Sequence, residues 1–461
     1  MTSSRLFRAL ALTLAALSIA LAAGSASAAS LKVTWMTGFA APGTPAKYNK
    51  VGVLKIGPPS AKNVLVLEPG TSAGSAYFVP FAQWLVSKTH GWQVWSVERR
   101  ENLFEDQSEM NLAKLHKVTG QRLFDYYLGY LADPSITDHI HPVLDSQVGF
   151  ARNWGLNVAI EDLHRVIEAA TRRGGKVVLG GHSLGGSVIT AYATWDFHGR
   201  PGAAELAGLV YDDGASFRAP VSRATARGEL QALKAGTPWR AFSGIPAPDL
   251  GLFAATGSLG ALIDPNAPSV AYASPLLPQS LKPPVQPTNL ALFGYDTDPA
   301  TSKLVFASWA HVGKLDTSVT PAGWDRAGAI TPLQRWAAML ATPGLQNVDG
   351  SEWYFPQRLT DDTGAIGNGL ANPAQAVLGV HSVFGRKLPR TLLMYAFGAY
   401  GGQAILDATT ALAKQSHIPM RNLTLVNRHA TYAHNDPASA YPHNVFFDHL
   451  VAFLAKISPH P

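Results

Sequence analysis

A β-branched run, Lys176-Val177-Val178-Leu179-Gly180, leads without a break into Gly181-His182-Ser183-Leu184-Gly185-Gly186. A strand that ends in G-x-S-x-G and continues into a helix must make a sharp turn with the serine hydroxyl at its apex. Glycine is required on both sides because the residues two before and two after the serine pass close to neighbouring backbone, where a Cβ has no room. Short Gly/Ser patterns arise by chance in a chain with 42 glycines, so the context carries the inference. The apolar run supplies the strand. Val188, Ile189, Tyr192 and Trp195 then recur at helical spacing, with no proline before Pro201. Ser183 is therefore a candidate nucleophile on a strand-to-helix turn.

The rest of the chain can be read around that turn. Residues 31–37 and Lys50–Ile56 are extended stretches separated by a Pro/Gly segment, and are expected to form an antiparallel pair. Asn63–Glu68 is a continuous apolar run ending at Pro69-Gly70, the pattern of a strand buried on both faces, and residues 76–87 follow as a helix. Residues 92–97 predict a strand and 155–171 a helix with Val158, Leu163, Val166, Ile167 and Ala170 on one face. Between them, residues 101–150 predict an insertion with helical parts. After the serine helix a strand is expected at 206–211, ending in Asp212-Asp213-Gly214. Strand and helix alternate again from 391 to the end: a strand at 391–397, a helix at 403–415, a strand at 422–427 and a closing helix at 444–457. This alternation argues for an α/β protein, a mostly parallel sheet flanked by helices. Residues 215–387, rich in Pro, Gly, Ala and Trp, are too long for a structureless loop and are expected to form a cap or lid inserted into a core of residues 29–214 and 388–461.

Composition narrows the chemistry. The chain contains no cysteine, which removes disulfides, thiolate catalysis, Cys-ligated metals and a lipidated cysteine. Arg5 and Arg8, an apolar stretch from Ala9 to Ala23 and Ala26-Ser27-Ala28 have the layout of a secretory signal, so residues 1–28 are expected to be removed on export to a periplasmic or extracellular location. The apolar stretch is short of the roughly 20 residues needed to cross a bilayer, which makes a retained anchor the weaker alternative. Loss of Arg5 and Arg8 lowers the formal charge of +6 by two, and there is no long basic cluster, so nucleic acid is not an expected partner. Asp138, His139 and His141 lie close together, but two histidines at alternate spacing do not make a ligand set, and neither a metal nor another cofactor is expected.

The order of elements, with a nucleophile turn after a central strand and an insertion after the next strand, resembles the α/β-hydrolase fold over most of the mature chain. The resemblance implies a triad in the order Ser, acid, His, with the histidine after the last strand. That loop holds His429 and His434; His434, in Tyr432-Ala433-His434-Asn435-Asp436-Pro437 just before the closing helix, is the favoured base. The usual acid position, after strand 391–397, reads Gly398-Ala399-Tyr400-Gly401-Gly402 and has no carboxylate. Some members of the fold carry the acid after the strand that follows the nucleophile helix. Asp213 is the choice on that basis, with Asp212 and Asp407 as alternatives. The oxyanion hole is expected from the backbone N–H groups of Leu184, directly after the nucleophile, and Thr71, in the loop Glu68-Pro69-Gly70-Thr71-Ser72, with Ser72 the alternative donor.

The resemblance implies a serine hydrolase acting on a small or lipid-like carboxylic ester, with the aromatic cap favouring a hydrophobic portion. Trp239, Trp309, Trp324, Trp336 and Trp353 could equally pack the cap's own core. The competing readings are an amidase or peptidase using the same triad, and a secreted binding protein that keeps the scaffold without the chemistry.

Overall fold

The computed structural model describes residues 31–216, 218–242 and 244–459. The expected signal segment, residues 1–28, lies outside them. Eight strands form one sheet: β1 (Val33–Thr37), β2 (Lys50–Ile56), β3 (Asn63–Glu68), β4 (Trp92–Glu98), β5 (Val177–His182), β6 (Gly208–Asp212), β7 (Leu393–Gly398) and β8 (Leu423–Asn427). Their spatial order is β1-β2-β4-β3-β5-β6-β7-β8. β2 pairs antiparallel with both β1 and β4, whereas every pair from β4 to β8 is parallel. This mixed, mostly parallel sheet is the one the alternation of elements predicts.

The strands read as apolar runs because both faces are covered. Val64, Leu65, Val66 and Leu67 of β3 are all buried, and since successive side chains point to opposite faces, each face must have its own layer of helices. Helices α2 (Leu156–Thr171), α3 (Leu184–Thr194) and α4 (Gly402–Gln415) share one apolar cluster with Val64 and Val66, through Ile160, Leu163, Val188, Ile189, Ile405 and Leu412. Helices α1 (Val79–Lys88) and α5 (Val445–Ile457) pack together through stacked Trp84 and Phe447, with ring centroids 3.5 Å apart. Phe446 of α5 stacks on Tyr395 of β7 at 5.4 Å. Among the described residues no helix is long and apolar enough to cross a membrane.

The long segment between β6 and β7 divides its apolar contacts. Trp239, Leu252, Leu259, Trp353 and Tyr354 join a second cluster with Phe104, Leu123, Phe124, Tyr127 and Trp154, so part of the early insertion and part of the late one share a core. Phe355, Leu359, Ile366, Leu378 and Leu388 return to the cluster beneath the sheet. The apolar side chains of 355–388 thus pack with the expected core, and those of 104–128 with the expected cap.

Candidate active site

β5 stops at His182 and α3 starts at Leu184. Ser183, between them, has φ 55° and ψ −123°, a conformation that costs a non-glycine residue about 1–3 kcal/mol and persists only where the surroundings impose it. They do so here. Its N–H donates to Asp212 O at 3.0 Å, extending the β5–β6 ladder into the turn. A Cβ at Gly181 would collide with the Gly185 backbone, and one at Gly185 with the carbonyl of Glu68, so the flanking glycines have the steric cause expected of them. Ser183 is partly exposed.

β6 ends beside this turn, and Asp213 follows it with φ 45°. The carboxylate is buried and both oxygens are occupied. Oδ1 accepts from the N–H groups of Ala399 and Gly401, each at 2.8 Å, and Oδ2 lies 2.6 Å from Nδ1 of His434. The loop after β7, which contains no acid, thus supplies two backbone donors to one. A carboxylate only accepts, so Nδ1 carries the imidazole proton and Nε2 presents its lone pair. Nε2 is buried and has no hydrogen-bond partner among the described residues, the Ser183 hydroxyl included.

The turn carrying His434 is held from several sides. Tyr77 donates its hydroxyl to Asn435 Oδ1 at 3.0 Å, Asn435 N–H donates to Trp309 O at 3.0 Å, and Ala433 N–H donates to Asp436 Oδ2 at 2.7 Å. His182, next to the serine, donates from Nε2 to His434 O at 3.1 Å. Burial pushes the pKa of His182 down to about 3, and Tyr77 stacks on its ring at 5.2 Å, so it serves as a neutral donor. Phe306 meets the His434 ring edge-on at 5.1 Å and stacks on Tyr400 at 4.6 Å. Both are large aromatics left exposed, at 41% and 42%.

The loop after β3 runs against the nucleophile turn. A Cβ on Gly70 would stand 2.9 Å from Ser183 Cβ, so the Gly70 backbone touches the serine. Thr71 follows, and then Ser72, whose φ is 52° and whose carbonyl accepts from Glu352 N–H at 3.0 Å. Leu184 N–H is the first of α3 and has no intrahelical acceptor.

The other candidates stand elsewhere. His429 is exposed, with Nδ1 3.1 Å from Ala399 O. Asp407 is exposed on α4 and accepts from Gln403 at 2.9 Å. Asp212 is buried, Oδ1 has no partner among the described residues, and burial together with the neighbouring Asp213 raises its pKa. Of the five tryptophans, Trp239, Trp336 and Trp353 are buried, and Trp239 and Trp353 lie in the second apolar cluster. Asp138 pairs with Arg122 at 2.7 Å and His139 stacks on Tyr130 at 4.0 Å. Among the described residues no three His, Asp or Glu side chains are placed to hold a metal ion.

Sequence reasoning missed His182, the exposed aromatic pair and the donors at 399 and 401. The histidine was visible beside the serine, but only burial marks it as neutral, and backbone donors leave no side-chain signature.

No family model matches the chain, and no curated protein matches it. Among solved structures it is similar to a putative lipase from Sulfolobus solfataricus, with 15% identity over 92% of this chain and 94% of that one and a TM-score of 0.46. A soluble variant of monoglyceride lipase from Saccharomyces cerevisiae is 11% identical over 95% and 99% of the two chains, TM-score 0.39. A carboxyl esterase from Bacillus coagulans is 12% identical over 93% and 99%, TM-score 0.37.

Proposed function

We propose that this chain is an exported serine hydrolase that cleaves a carboxylic ester through an acyl-enzyme intermediate. The observation that carries the reading is the buried His434–Asp213 pair, 2.6 Å apart, beside a strained serine turn. Ser183 Oγ attacks the ester carbonyl while His434 Nε2 takes its proton. The free lone pair of Nε2 suits that step, and serine–histidine bonds that are open in unliganded sites tighten when substrate binds. Asp213 holds the tautomer and stabilises the imidazolium. The N–H groups of Leu184 and Thr71 stabilise the tetrahedral oxyanion. His434 then protonates the leaving alcohol, a water takes the alcohol's place, and the same steps in reverse order release the acid and restore the serine.

Phe306 and Tyr400 form an apolar ledge beside His434, which favours a substrate with a hydrophobic portion. The layout of residues 1–28 supports export. Purified protein lacking residues 1–28 is expected to hydrolyse p-nitrophenyl butyrate or octanoate, and Ser183→Ala to lose at least about 10⁴-fold in kcat. A fluorophosphonate should label Ser183 and no other residue, as read by mass spectrometry of peptides. An unlabelled Ser183 together with no ester turnover would sink the proposal; turnover of p-nitroanilides in preference to esters would move it to an amidase.

A further inference from the structure

Arg99, directly after β4, carries a guanidinium in the interior, only 6% exposed. Its Nε donates to Glu68 Oε1 at 3.0 Å and its Nη1 to Glu352 Oε2 at 2.6 Å. The remaining donors go to two successive carbonyls of one loop: Nη2 to Pro69 O, and Nη1 and Nη2 to Gly70 O at 3.2 and 3.3 Å. This is the loop whose Gly70 backbone touches Ser183.

We infer that Arg99 is a positioning residue for the oxyanion hole, acting through the Gly70–Thr71 peptide. The inference rests on the site proposed above. A peptide unit is planar and trans, so its C=O and N–H point in opposite directions. Anchoring Gly70 O on the guanidinium therefore sets the direction of Thr71 N–H, away from the ionic cluster. The cation also polarises the amide it binds, which makes Thr71 N–H a stronger donor to developing negative charge. Lysine could not do the same. One ammonium has three donors and no planar fork, whereas this guanidinium spans two carbonyls and two carboxylates at once.

The surroundings maintain the arrangement. Glu68 comes from the end of β3 and Glu352 from the far insertion, and Glu352 meets the loop directly, its N–H donating to Ser72 O at 3.0 Å, and indirectly through Arg99. Burying a cation and its partners costs more than burying apolar side chains of the same volume, so stability alone is a weak reason for the cluster. Orientation of the loop is a stronger one.

The test compares Arg99→Lys and Glu352→Gln with the wild type on p-nitrophenyl butyrate, with phenylboronic acid as a tetrahedral adduct former and butyrate as a ground-state competitor. Near-UV circular dichroism confirms that each variant is folded. Arg99→Lys is expected to lose about 10- to 100-fold in kcat with KM changed by no more than about twofold. Its affinity for phenylboronic acid should fall in proportion, while butyrate affinity and the pH profile of kcat/KM stay in place, because the His434–Asp213 pair is untouched. Glu352→Gln, which exchanges a charged acceptor of the guanidinium for a neutral one, should show the same pattern to a smaller degree. A merely structural arginine would lower the melting temperature and leave kcat and the boronate constant of the folded protein unchanged. If Arg99→Lys keeps wild-type kcat and boronate affinity, or if it does not fold and Glu352→Gln keeps them, the inference is overturned. An inactive wild type would instead overturn the site itself.

Discussion

Asp213, Asp212 and Asp407 are candidates for one role, and only their surroundings separate them. Asp213 is buried with both oxygens occupied, two backbone N–H groups on one and the imidazole on the other. Asp212, one residue earlier, is as deeply buried but makes no hydrogen bond to the imidazole, its pKa raised by burial and by Asp213, and Asp407 lies on the surface of α4. Asp213→Asn is therefore expected to lower kcat by about 10²- to 10⁴-fold, since an amide at this position favours the wrong imidazole tautomer. Asp407→Asn and Asp212→Asn should stay within about threefold of wild type, because the carboxylate on His434 Nδ1 is that of Asp213. Steady-state kinetics on one ester separates these outcomes, and full activity in Asp213→Asn would remove the residue from the mechanism. The turn at 212–214 was readable as a site for an acid. Which of its two aspartates faces His434 was not, because that choice depends on the donors at 399 and 401, far along the chain.

At the scale of elements, the His434 turn depends on the helix that follows it. Asn444 caps α5 by accepting from Phe447 N–H at 3.1 Å, and its amide donates to Pro437 O at 2.8 Å and Ala440 O at 3.1 Å. One side chain thus closes a helix N-terminus and fastens the chain that carries His434. Asn444→Ala removes the cap and leaves two carbonyls without their donor, so it should cost about 1–3 kcal/mol. The check is a lower urea midpoint at unchanged m-value, and a midpoint equal to wild type would show that the cap contributes nothing. Elements of this kind were legible: the closing helix was expected over 444–457 and runs from Val445 to Ile457. The strands were legible too, because strands covered on both faces read as largely apolar runs. The insertions were not. Tyr127 and Trp353 meet at 5.6 Å across more than two hundred residues, and nothing in the periodicity of either segment names its partner.

Over the whole molecule, buried carboxyl groups set how stability responds to pH. Burial raises the pKa of Glu98, Asp296 and Asp362 to about 7 and that of Glu68 and Asp162 to about 6. Between the ordinary carboxylate range and pH 7 the native state therefore binds more protons than the unfolded chain, and stability falls as pH rises through that window. His182 acts the other way, since its pKa of about 3 makes the unfolded chain the better proton binder up to about pH 6.5. Five groups oppose one, so the melting temperature is expected to be higher at pH 5 than at pH 8. Asp296→Asn, at a carboxyl raised by burial alone, should raise the melting temperature more at pH 8 than at pH 5, because the penalty grows from the ordinary carboxylate range up to about pH 7. A melting temperature that climbs steadily from pH 5 to 8 would contradict the account. The amino-acid sequence by itself determined the sheet, the flanking helices and the serine turn, because these follow from periodicity and from glycine at positions without space for a Cβ. Tertiary structure alone decided which aspartate meets His434, that His182 is neutral, and that Arg99 grips the loop beside Ser183. Those outcomes depend on burial and on hydrogen bonds between distant segments, which form only when the chain is folded.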